Sequence, residues 1–267
     1  MDHTPLSQPA TESDPLSLAF ASRDADVLQL VRNALAAGRA QLAFQPVVIA
    51  GNTKRIAFYE ALIRVSDEGG RMIPAAHFMP VVEETDIGRD IDAVTLDLAI
   101  KMLRHQPGIR LSVNVSARSL ADWNWRRRLE EGLADGASLR DRLIFEISEA
   151  SAMQLHEVVI RFMEDMHPKG LSFALDGFGG GQTSFRKLRD FFFDFAKIDK
   201  GFSSGVHRDP NNQVLIEALV TVAHQFEMFA VADGVEAAED AQFLQTIGID
   251  CMQGYHFGVP KLNFLDA

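Results

Sequence analysis

The feature that most constrains the fold of this chain is a regular alternation of strand-like and helix-like segments. Short apolar runs of strand length recur along the sequence, and longer stretches with helical spacing of apolar residues separate them. The predicted strands are residues 41–49, 56–65, 110–115, 142–147, 171–176, 193–198, 229–233 and 249–252. The predicted helices lie near residues 75–84, 90–105, 117–134, 150–168, 181–190, 209–226 and 237–246, with a further helical pattern from Asp24.

A strand followed by a crossover helix predicts a right-handed unit with parallel strands. Eight such strands within 267 residues, 47% of them hydrophobic, predict an α/β fold closed as a TIM-like (β/α)₈ barrel. An open doubly wound sheet is the alternative. We predict a single domain over residues 24–267, since no linker divides it. Residues 1–23 begin MDHTPLSQPATESDP, and this polar composition predicts a disordered tail.

Composition limits the partners that such a domain can have. The net charge of −11, from 26 basic and 37 acidic residues, argues against bulk nucleic-acid binding, which needs clustered cations. The only cysteine, Cys251, cannot form an internal disulfide and lies in an apolar strand, so we expect a core residue and a cytoplasmic protein. No apolar run approaches the roughly 18 residues of a membrane span, and the N-terminus lacks the pattern of a signal peptide.

Polar residues lie where the predicted strands reach their carboxyl ends. They are Glu60, Asn114, Glu146, Asp176, Lys197, Asp233 and Gln253. One such residue is ordinarily a cap or a turn former, but seven in series are harder to explain in that way. In a barrel these ends surround one mouth, the usual place for catalysis. Carboxylates and a carboxamide together suit a hard cation such as Mg²⁺ or Mn²⁺.

Six motifs also occur in a fixed order along the chain. They are EALIR at 60–64, SVNVS at 112–116, EISE at 146–149, KID at 197–199, DGVE at 233–236 and QGYHFGVP at 253–260. Together they resemble the EAL domain, the bacterial cyclic di-GMP phosphodiesterase module. FQPVV at 44–48 and PAAHFMPVVEET at 74–85 match its early region. The resemblance covers roughly residues 25–262.

The resemblance implies a modified TIM barrel that opens one phosphodiester of cyclic di-GMP to give linear pGpG. Two Mg²⁺ or Mn²⁺ ions and an activated water would carry out this displacement. By position, the residues that resemble the family's ligands of the first metal are Glu60, Asn114, Glu146 and Asp176. Lys197 and Asp233 match catalytic positions, with Lys197 orienting the water, and Glu149 resembles the glutamate that braces the loop after Asp176. The positions that match ligand contacts are Gln45, Glu60, Leu62, Arg64, Asn114, Glu236, Gln253 and Gly254, with Arg64 on a phosphate.

Two positions depart from the family pattern. The family's DDFG is here Asp176-Gly177-Phe178-Gly179, so a carboxylate that would bind the second metal is absent. The family's AEGVE is here ADGVE, and Asp233 carries its charge on a side chain one methylene shorter. A displacement of about 1 Å in a catalytic site can cost on the order of a hundredfold in rate. We therefore expect a degenerate EAL domain with at most one bound ion, which binds cyclic di-GMP with weak or no hydrolysis. The alternatives are an active metal-dependent phosphodiesterase and a protein-interaction module that does not bind the nucleotide.

Two surface motifs suggest protein contacts. Phe191, Phe192 and Phe193 are consecutive and cannot all face the core, so we expect at least one exposed ring and a homodimer contact in this region. WNWRRR at 123–128 suggests either a patch for nucleic acid or an acidic partner, or a solvated helix face. The solvated face is the interpretation that we favour. The sequence does not identify a protein partner.

Overall fold

A computed structural model describes residues 15–134, 137–181 and 183–263, although the side chains of 15–21 and 137 lie outside that description. The strands are β1 (Ala40–Ile49), β2 (Asn52–Ser66), β3 (Met72–Pro74), β4 (Leu111–Asn114), β5 (Leu143–Ser148), β6 (Ser172–Phe178), β7 (Phe195–Ile198), β8 (Phe229–Ala232) and β9 (Cys251–Gln253). The helices are α1 (Pro15–Ala36), α2 (Met79–Val82), α3 (Asp86–His105), α4 (Ala117–Leu120), α5 (Trp123–Leu133), α6 (Ala137–Arg140), α7 (Glu149–Gln154), α8 (His156–Met166), α9 (Phe185–Leu188), α10 (Lys200–Ser203), α11 (Pro210–Gln225) and α12 (Ala238–Thr246).

Eight of the strands close into a barrel, which confirms the predicted fold class. From β2 the ring runs through β4, β5, β6, β7, β8 and β9 to β1, and β1 pairs back with β2. β3 lies outside the ring and pairs with the end of β2. The doubly wound alternative is wrong, because a doubly wound sheet has two free edges and this ring has none.

The first connection differs from the expected βα unit. β1 and β2 form a hairpin, and β1 runs antiparallel to both of its neighbours, β2 and β9. The remaining pairs around the ring, from β2 through β9, are parallel. Only a short turn at Ala50–Gly51 joins β1 to β2, which leaves no room for a crossover helix.

The amino-terminal boundary also differs from the prediction. Helix α1 begins at Pro15 rather than at Asp24, so residues 15–23 are helical and are not part of a disordered tail. Residues 1–14 of the predicted tail lie outside the described residues. Val31 and Ala34, within the helical pattern predicted from Asp24, are fully buried.

The core has two parts, one inside the barrel and one between the strands and the helices. The interior cluster takes one residue from each of six strands: Val47, Phe58, Ile144, Ala174, Val231 and Cys251. The larger outer cluster packs the other strand faces against the helices, as in Phe145 and Phe173 against Trp125 and Phe162. Cys251 is a buried free cysteine, as expected.

The three consecutive phenylalanines divide between core and surface. Phe191 and Phe193 are buried, whereas 47% of Phe192 is exposed. The prediction that at least one ring faces solvent is therefore confirmed. The homodimer contact inferred from it remains a prediction.

Candidate functional site

The barrel mouth receives its polar residues because strand side chains alternate between two faces. Two residues beyond the interior residues Phe58, Ile144 and Ala174 lie Glu60, Glu146 and Asp176. The same step leads from Cys251 to Gln253. β1 runs the other way, and Gln45 accordingly precedes Val47 by two residues. Each of these five strands therefore contributes an apolar side chain to the barrel interior and a polar one above it.

The strand register brings these polar residues together. Across neighbouring strands, Gln45 pairs with Glu60, Asn114 with Glu146, and Asp176 with Lys197. These pairs belong to different strands that meet at one end of the ring. The structure thus gathers, from distant parts of the chain, most of the residues that the sequence nominated.

Glu60 is the most extensively bonded acid of the mouth. Its Oε1 accepts a hydrogen bond from Asn114 Nδ2 at 2.8 Å. Its Oε2 accepts from Gln253 Nε2 at 2.5 Å and from Lys197 Nζ at 3.1 Å. Burial raises the pKa of Glu60, but the charge of Lys197 and these hydrogen bonds outweigh burial and hold the pKa below its usual value.

Lys197 is the cation of the mouth, and only 2% of it is exposed. Its Nζ lies 2.6 Å from Glu146 Oε2 and 3.8 Å from Asp176 Oδ1, in addition to its bond with Glu60. Burial acts to lower the pKa of Lys197, whereas the surrounding carboxylates, Glu146 first, raise it well above its usual value. Lys197 is therefore a fixed positive charge that neutralises part of an acidic cluster.

Glu146 differs from Glu60 because only one of its oxygens is satisfied. Oε2 accepts from Lys197, but Oε1 is buried and has no hydrogen-bond partner. Burial and the nearby charge of Glu60 raise the pKa of Glu146 to about 8. The two glutamates share the ammonium group of Lys197 and repel each other, so their pKa values move in opposite directions. An unpartnered buried carboxylate oxygen is a group that a bound cation or water would satisfy.

Asp176 and Gly177 lie at an irregularity in the barrel. The register between β6 and β7 shifts between Asp176 and Phe178, so Gly177 is the extra residue of a β-bulge. Gly177 has φ +74°, in the left-handed region, and a Cβ built there would meet no atom within 4 Å. The position therefore supplies no side chain to the mouth, although it has space for one.

Asp233 lies just after β8 and faces the same cluster. Its Oδ1 accepts a hydrogen bond from the backbone of Gly234 at 2.8 Å, within its own turn. Burial raises the pKa of Asp233, and the charge of Lys197 partly opposes this effect. The charge of Asp233 thus contributes to raising the pKa of Lys197, while its Oδ1 is hydrogen-bonded within the turn.

Glu149 contacts the loop that follows Asp176. It is the first residue of α7 and is only 3% exposed. Its Oε2 accepts from Gly181 N at 3.2 Å, and its Oε1 accepts from the hydroxyl of Thr183. These contacts fit the bracing position that the resemblance assigned to Glu149.

The remaining nominated residues differ in their surroundings. Gln45 is buried, accepts from Gln253 at 3.3 Å and donates to Gly258 O at 3.2 Å. Arg64 is half-buried on β2, and burial lowers its pKa while Glu60 raises it. Glu236 is exposed and lies outside the hydrogen-bonded cluster described above. Gly254 meets a packing requirement, since a Cβ there would lie 2.0 Å from Val235 O.

A cavity of about 430 Å³ opens beside this cluster. Its walls include Leu62, Ala75, Met79 and Ile91 together with the acids Glu60, Glu146 and Asp176. The sequence analysis missed Asp92, a 6% exposed residue of α3 that also lines the cavity. Asp92 Oδ2 accepts from Ser119 Oγ at 2.6 Å and from Ser116 N at 3.0 Å. The helical periodicity of residues 90–105 was the signal available, because it places position 92 on the buried face with Thr95 and Leu96.

The family comparison agrees with this site. The family model described as EAL domain matches residues 29–260. The chain belongs to the EAL domain family. Among relatives, the signalling protein YkoW of Bacillus subtilis is 29% identical over 86% of the chain and 29% of its own length. The cyclic di-GMP phosphodiesterase PdeR of Escherichia coli is 29% identical over 75% of the chain and 31% of its length.

Solved EAL structures share the fold. The PaMucR phosphodiesterase in complex with c-di-GMP superposes with a TM-score of 0.82 at 26% identity, over 91% of this chain and 100% of that one. The FimX EAL domain from Pseudomonas aeruginosa bound to c-di-GMP gives 0.80 at 26% identity, over 89% and 97%. The chain spans about a third of the length of the curated relatives YkoW and PdeR.

EAL domains are divalent-metal-dependent phosphodiesterases, and the mouth has donors of the right chemical type. The unpartnered Oε1 of Glu146 fits an ion, and Glu60, Asn114 and Asp176 are the residues that would complete its coordination. Within the described residues no three acidic or histidine ligands stand close enough to hold a metal as they are. Lys197 instead lies between Glu60 and Glu146. Gly177, next to Asp176, provides no side-chain donor.

The surface motif at 123–128 is largely engaged within the protein. Arg126 pairs with Asp165 at 3.0 Å and Arg128 with Asp97 at 2.6 Å. Arg127 lies over the ring of Trp123, which is 70% exposed. These contacts fit a solvated helix face. None of the described helices has the combination of length and apolar character that crossing a bilayer requires.

Proposed function

We propose that this EAL domain is a cyclic di-GMP signalling domain that binds the nucleotide and hydrolyses it to pGpG weakly or not at all. The proposal rests on a contrast at the barrel mouth between the residues present for a first metal ion and the side chain missing for a second. Leu62 and the residues nominated for the first metal, Glu60, Asn114, Glu146 and Asp176, line one cavity, whereas Gly177 offers no carboxylate for a second ion. Solved EAL relatives with c-di-GMP support the ligand class.

The residues have distinct roles in this proposal. Glu60, Asn114, Glu146 and Asp176 hold one Mg²⁺ or Mn²⁺, which supplies charge stabilisation when it is bound. Lys197 keeps a fixed proton and a positive charge that orients water or a phosphate oxygen. Arg64, at the rim on β2, pairs with a phosphate of the ligand. Further contacts come from Gln45, Leu62, Glu236, Gln253 and Gly254.

The mouth lacks side-chain ligands for a second divalent ion. Gly177 has no side-chain donor, and Oδ1 of Asp233 already accepts a hydrogen bond from the backbone of Gly234. In-line displacement between two ions is therefore poorly supported here.

Calorimetric titration with cyclic di-GMP tests the binding proposal, first with Mg²⁺ and then with a chelator. We expect binding in both conditions, and Arg64→Ala to weaken it at least tenfold. Arg110→Ala is the matched control, because Arg110 is an exposed arginine that precedes β4, at the opposite end of the barrel from the mouth. No detectable heat at tens of micromolar protein would eliminate the receptor proposal.

An assay for pGpG separates the binding protein from the enzyme. The retained first-metal set and Lys197 favour the second candidate, an active metal-dependent phosphodiesterase. Sustained pGpG production by the unmodified chain, at a rate equal to that of its Gly177→Asp variant, would establish this second candidate and reject our proposal. A rate in the unmodified chain that is at least tenfold lower than in the variant, or no pGpG from the unmodified chain, would support our proposal.

A third candidate is a protein-interaction module on the EAL scaffold, with or without the nucleotide. Exposed apolar side chains favour it, among them Trp123, Phe192 and Val214. We place a homodimer contact at Phe192, next to the buried rings of Phe191 and Phe193. A monomeric mass in light scattering at tens of micromolar would argue against the homodimer. Use of a nucleotide messenger and a lone buried cysteine support a cytoplasmic location.

A further inference from the structure

The segment that leads from the mouth loop to β7 is attached along α7 and α8. This segment, residues 183–193, contains α9 and follows the glycine-rich loop after Asp176. Its attachments are Thr183 to Glu149, Lys187 Nζ to Met153 O at 3.0 Å, and Phe192 N to Met163 Sδ at 3.4 Å. Between these attachments lies His156, the first residue of α8.

His156 lies between α8 and the 183–193 segment, and its Nε2 makes no hydrogen bond. Its side chain is 15% exposed, and its Nε2 is buried and has no partner. Nε2 lies 3.7 Å from Asp190 Oδ2, and Nδ1 lies 3.7 Å from Glu157 Oε1. The ring stands edge-on to Phe191 at 4.9 Å between centroids. Both carboxylate distances are just beyond hydrogen-bond range.

The charges around His156 favour its protonated form as the attached one. A neutral imidazole has one donor and one acceptor, and a carboxylate can only accept. A neutral ring between Asp190 and Glu157 therefore satisfies one of them at most. An imidazolium has two donors, one for each carboxylate.

The other charged groups of the segment leave this contact available. Arg189 Nε lies 3.4 Å from Asp190 Oδ1 and is largely exposed, so Asp190 Oδ2 is the oxygen nearest to His156. Lys187 is directed to the carbonyl of Met153. On α8 itself, Glu157 is the carboxylate that faces the ring.

We propose that His156 is a proton-dependent attachment between α8 and the 183–193 segment. Uptake of one proton from solvent converts two near-contacts into charge-assisted hydrogen bonds and fastens the segment to α8. Loss of that proton leaves the segment attached only through its other contacts. Histidine is the residue type whose change of charge lies nearest to neutral pH, which suits it to a proton-dependent attachment. This proposal does not depend on the identity of the ligand.

Hydrogen exchange of the full chain tests the proposal, with peptides that cover residues 183–193 measured at pH 5.5 and pH 8 and corrected for intrinsic rates. We expect at least threefold greater protection at pH 5.5 in the unmodified chain. His156→Gln should remove this pH dependence. His105→Gln is the matched control, since the His105 ring is hydrogen-bonded to the carbonyl of Lys101 within α3 and its loss should leave the dependence unchanged.

A second variant keeps the test decisive if His156→Gln does not fold. Asp190→Asn removes only the partner charge, on a side chain that is 46% exposed, and it keeps the ring against Phe191. We expect it to reduce the pH dependence to the same extent as His156→Gln. A purely structural histidine would change protection equally at both pH values. Equal pH dependence in the unmodified chain and in both variants would overturn the proposal.

Discussion

At the residue scale, Gly177 offers a direct way to test the proposed loss of hydrolysis. Gly177→Asp places a carboxylate where no atom lies within 4 Å, and aspartate is among the residues that tolerate a left-handed backbone. We expect the variant to bind a second Mn²⁺ and to raise pGpG turnover at least tenfold. Electron paramagnetic resonance of Mn²⁺ and a pGpG assay measure these two quantities.

Gly177→Asn is the control for this substitution. Asparagine has nearly the same shape and tolerates the same backbone conformation, but it carries no charge. It should leave both the metal stoichiometry and the turnover unchanged. A gain of activity with Asn as large as with Asp would show that the gain comes from the stiffer backbone and not from the carboxylate.

Asp92 carries a pH effect on stability. Burial raises its pKa to about 7, and hydrogen bonds from Ser119 and Ser116 only partly oppose this. In the unfolded chain the pKa of an aspartate is about 3.9, so the folded state binds the proton more tightly. The folded state therefore loses stability relative to the unfolded state as the pH rises from about 4 to 7. Asp92→Asn stays neutral throughout. We expect its free energy of unfolding, relative to the unmodified chain, to rise by about 2 kcal/mol between pH 5 and pH 8.

Urea denaturation at several pH values measures this difference. Asp90→Asn, an exposed position on the same helix, is the control and should show no comparable trend. A constant difference across the pH range for Asp92→Asn would contradict the assignment of the raised pKa to burial.

The mouth residues could be named from the sequence because they lie at the carboxyl ends of predicted strands and within motifs of fixed order. It did not predict their distances, since the 2.6 Å contact between Glu146 and Lys197 depends on the register of three strands. Asp92 was missed because a single acid in a helical pattern usually faces solvent. The helical spacing does place position 92 on the buried face of α3, but it does not identify Ser116 and Ser119 as the hydrogen-bond partners of the carboxylate.

At the element scale, the turn from α11 to β8 contains a strained residue. Glu227 has φ +60°, a left-handed conformation that costs a residue with a Cβ roughly 1–2 kcal/mol. Glu227→Gly removes that cost but increases the entropy of the unfolded chain. We expect a net gain of about 0.5–1 kcal/mol, visible as an increase in Tm of about 2–4 °C per kcal/mol.

Differential scanning calorimetry of two variants separates the backbone from the side chain. Glu227→Ala removes the same carboxylate and keeps a Cβ, so it should show little or no gain. If both variants stabilise the protein equally, the effect arises from the lost charge and the strain argument for this turn is wrong.

The elements themselves were largely predictable, because apolar periodicity locates strands and helices. All eight predicted strands occur within a few residues of their expected bounds. Strand direction was not predictable in the same way, since an alternating pattern reads alike in both directions and β1 proved antiparallel. β3 was not predicted, because three residues are too few to show an alternating pattern. The 150–168 pattern divides into α7 and α8 at Leu155, whose non-helical backbone (φ −110°, ψ 41°) leaves the apolar spacing almost undisturbed.

At the scale of the whole molecule, closure of the ring couples its strands. The interior cluster takes residues from six strands, and β1 seals the ring by pairing with both β2 and β9. Opening any strand therefore exposes interior side chains from several others. A barrel built in this way has no edge strand in its ring that can separate at low cost. We expect the barrel to open as one cooperative unit.

The thiol of Cys251 reports on that opening. It is 7% exposed within the interior cluster, and burial raises its pKa to about 11, so the native thiol is both shielded and protonated. We expect no labelling by a thiol-reactive disulfide in native buffer. With increasing urea, the rate of labelling should rise in parallel with the loss of fluorescence from the buried Trp125. Coincident midpoints indicate global opening. Labelling that precedes the fluorescence change would show instead that β9 separates from the barrel before the rest of the molecule unfolds.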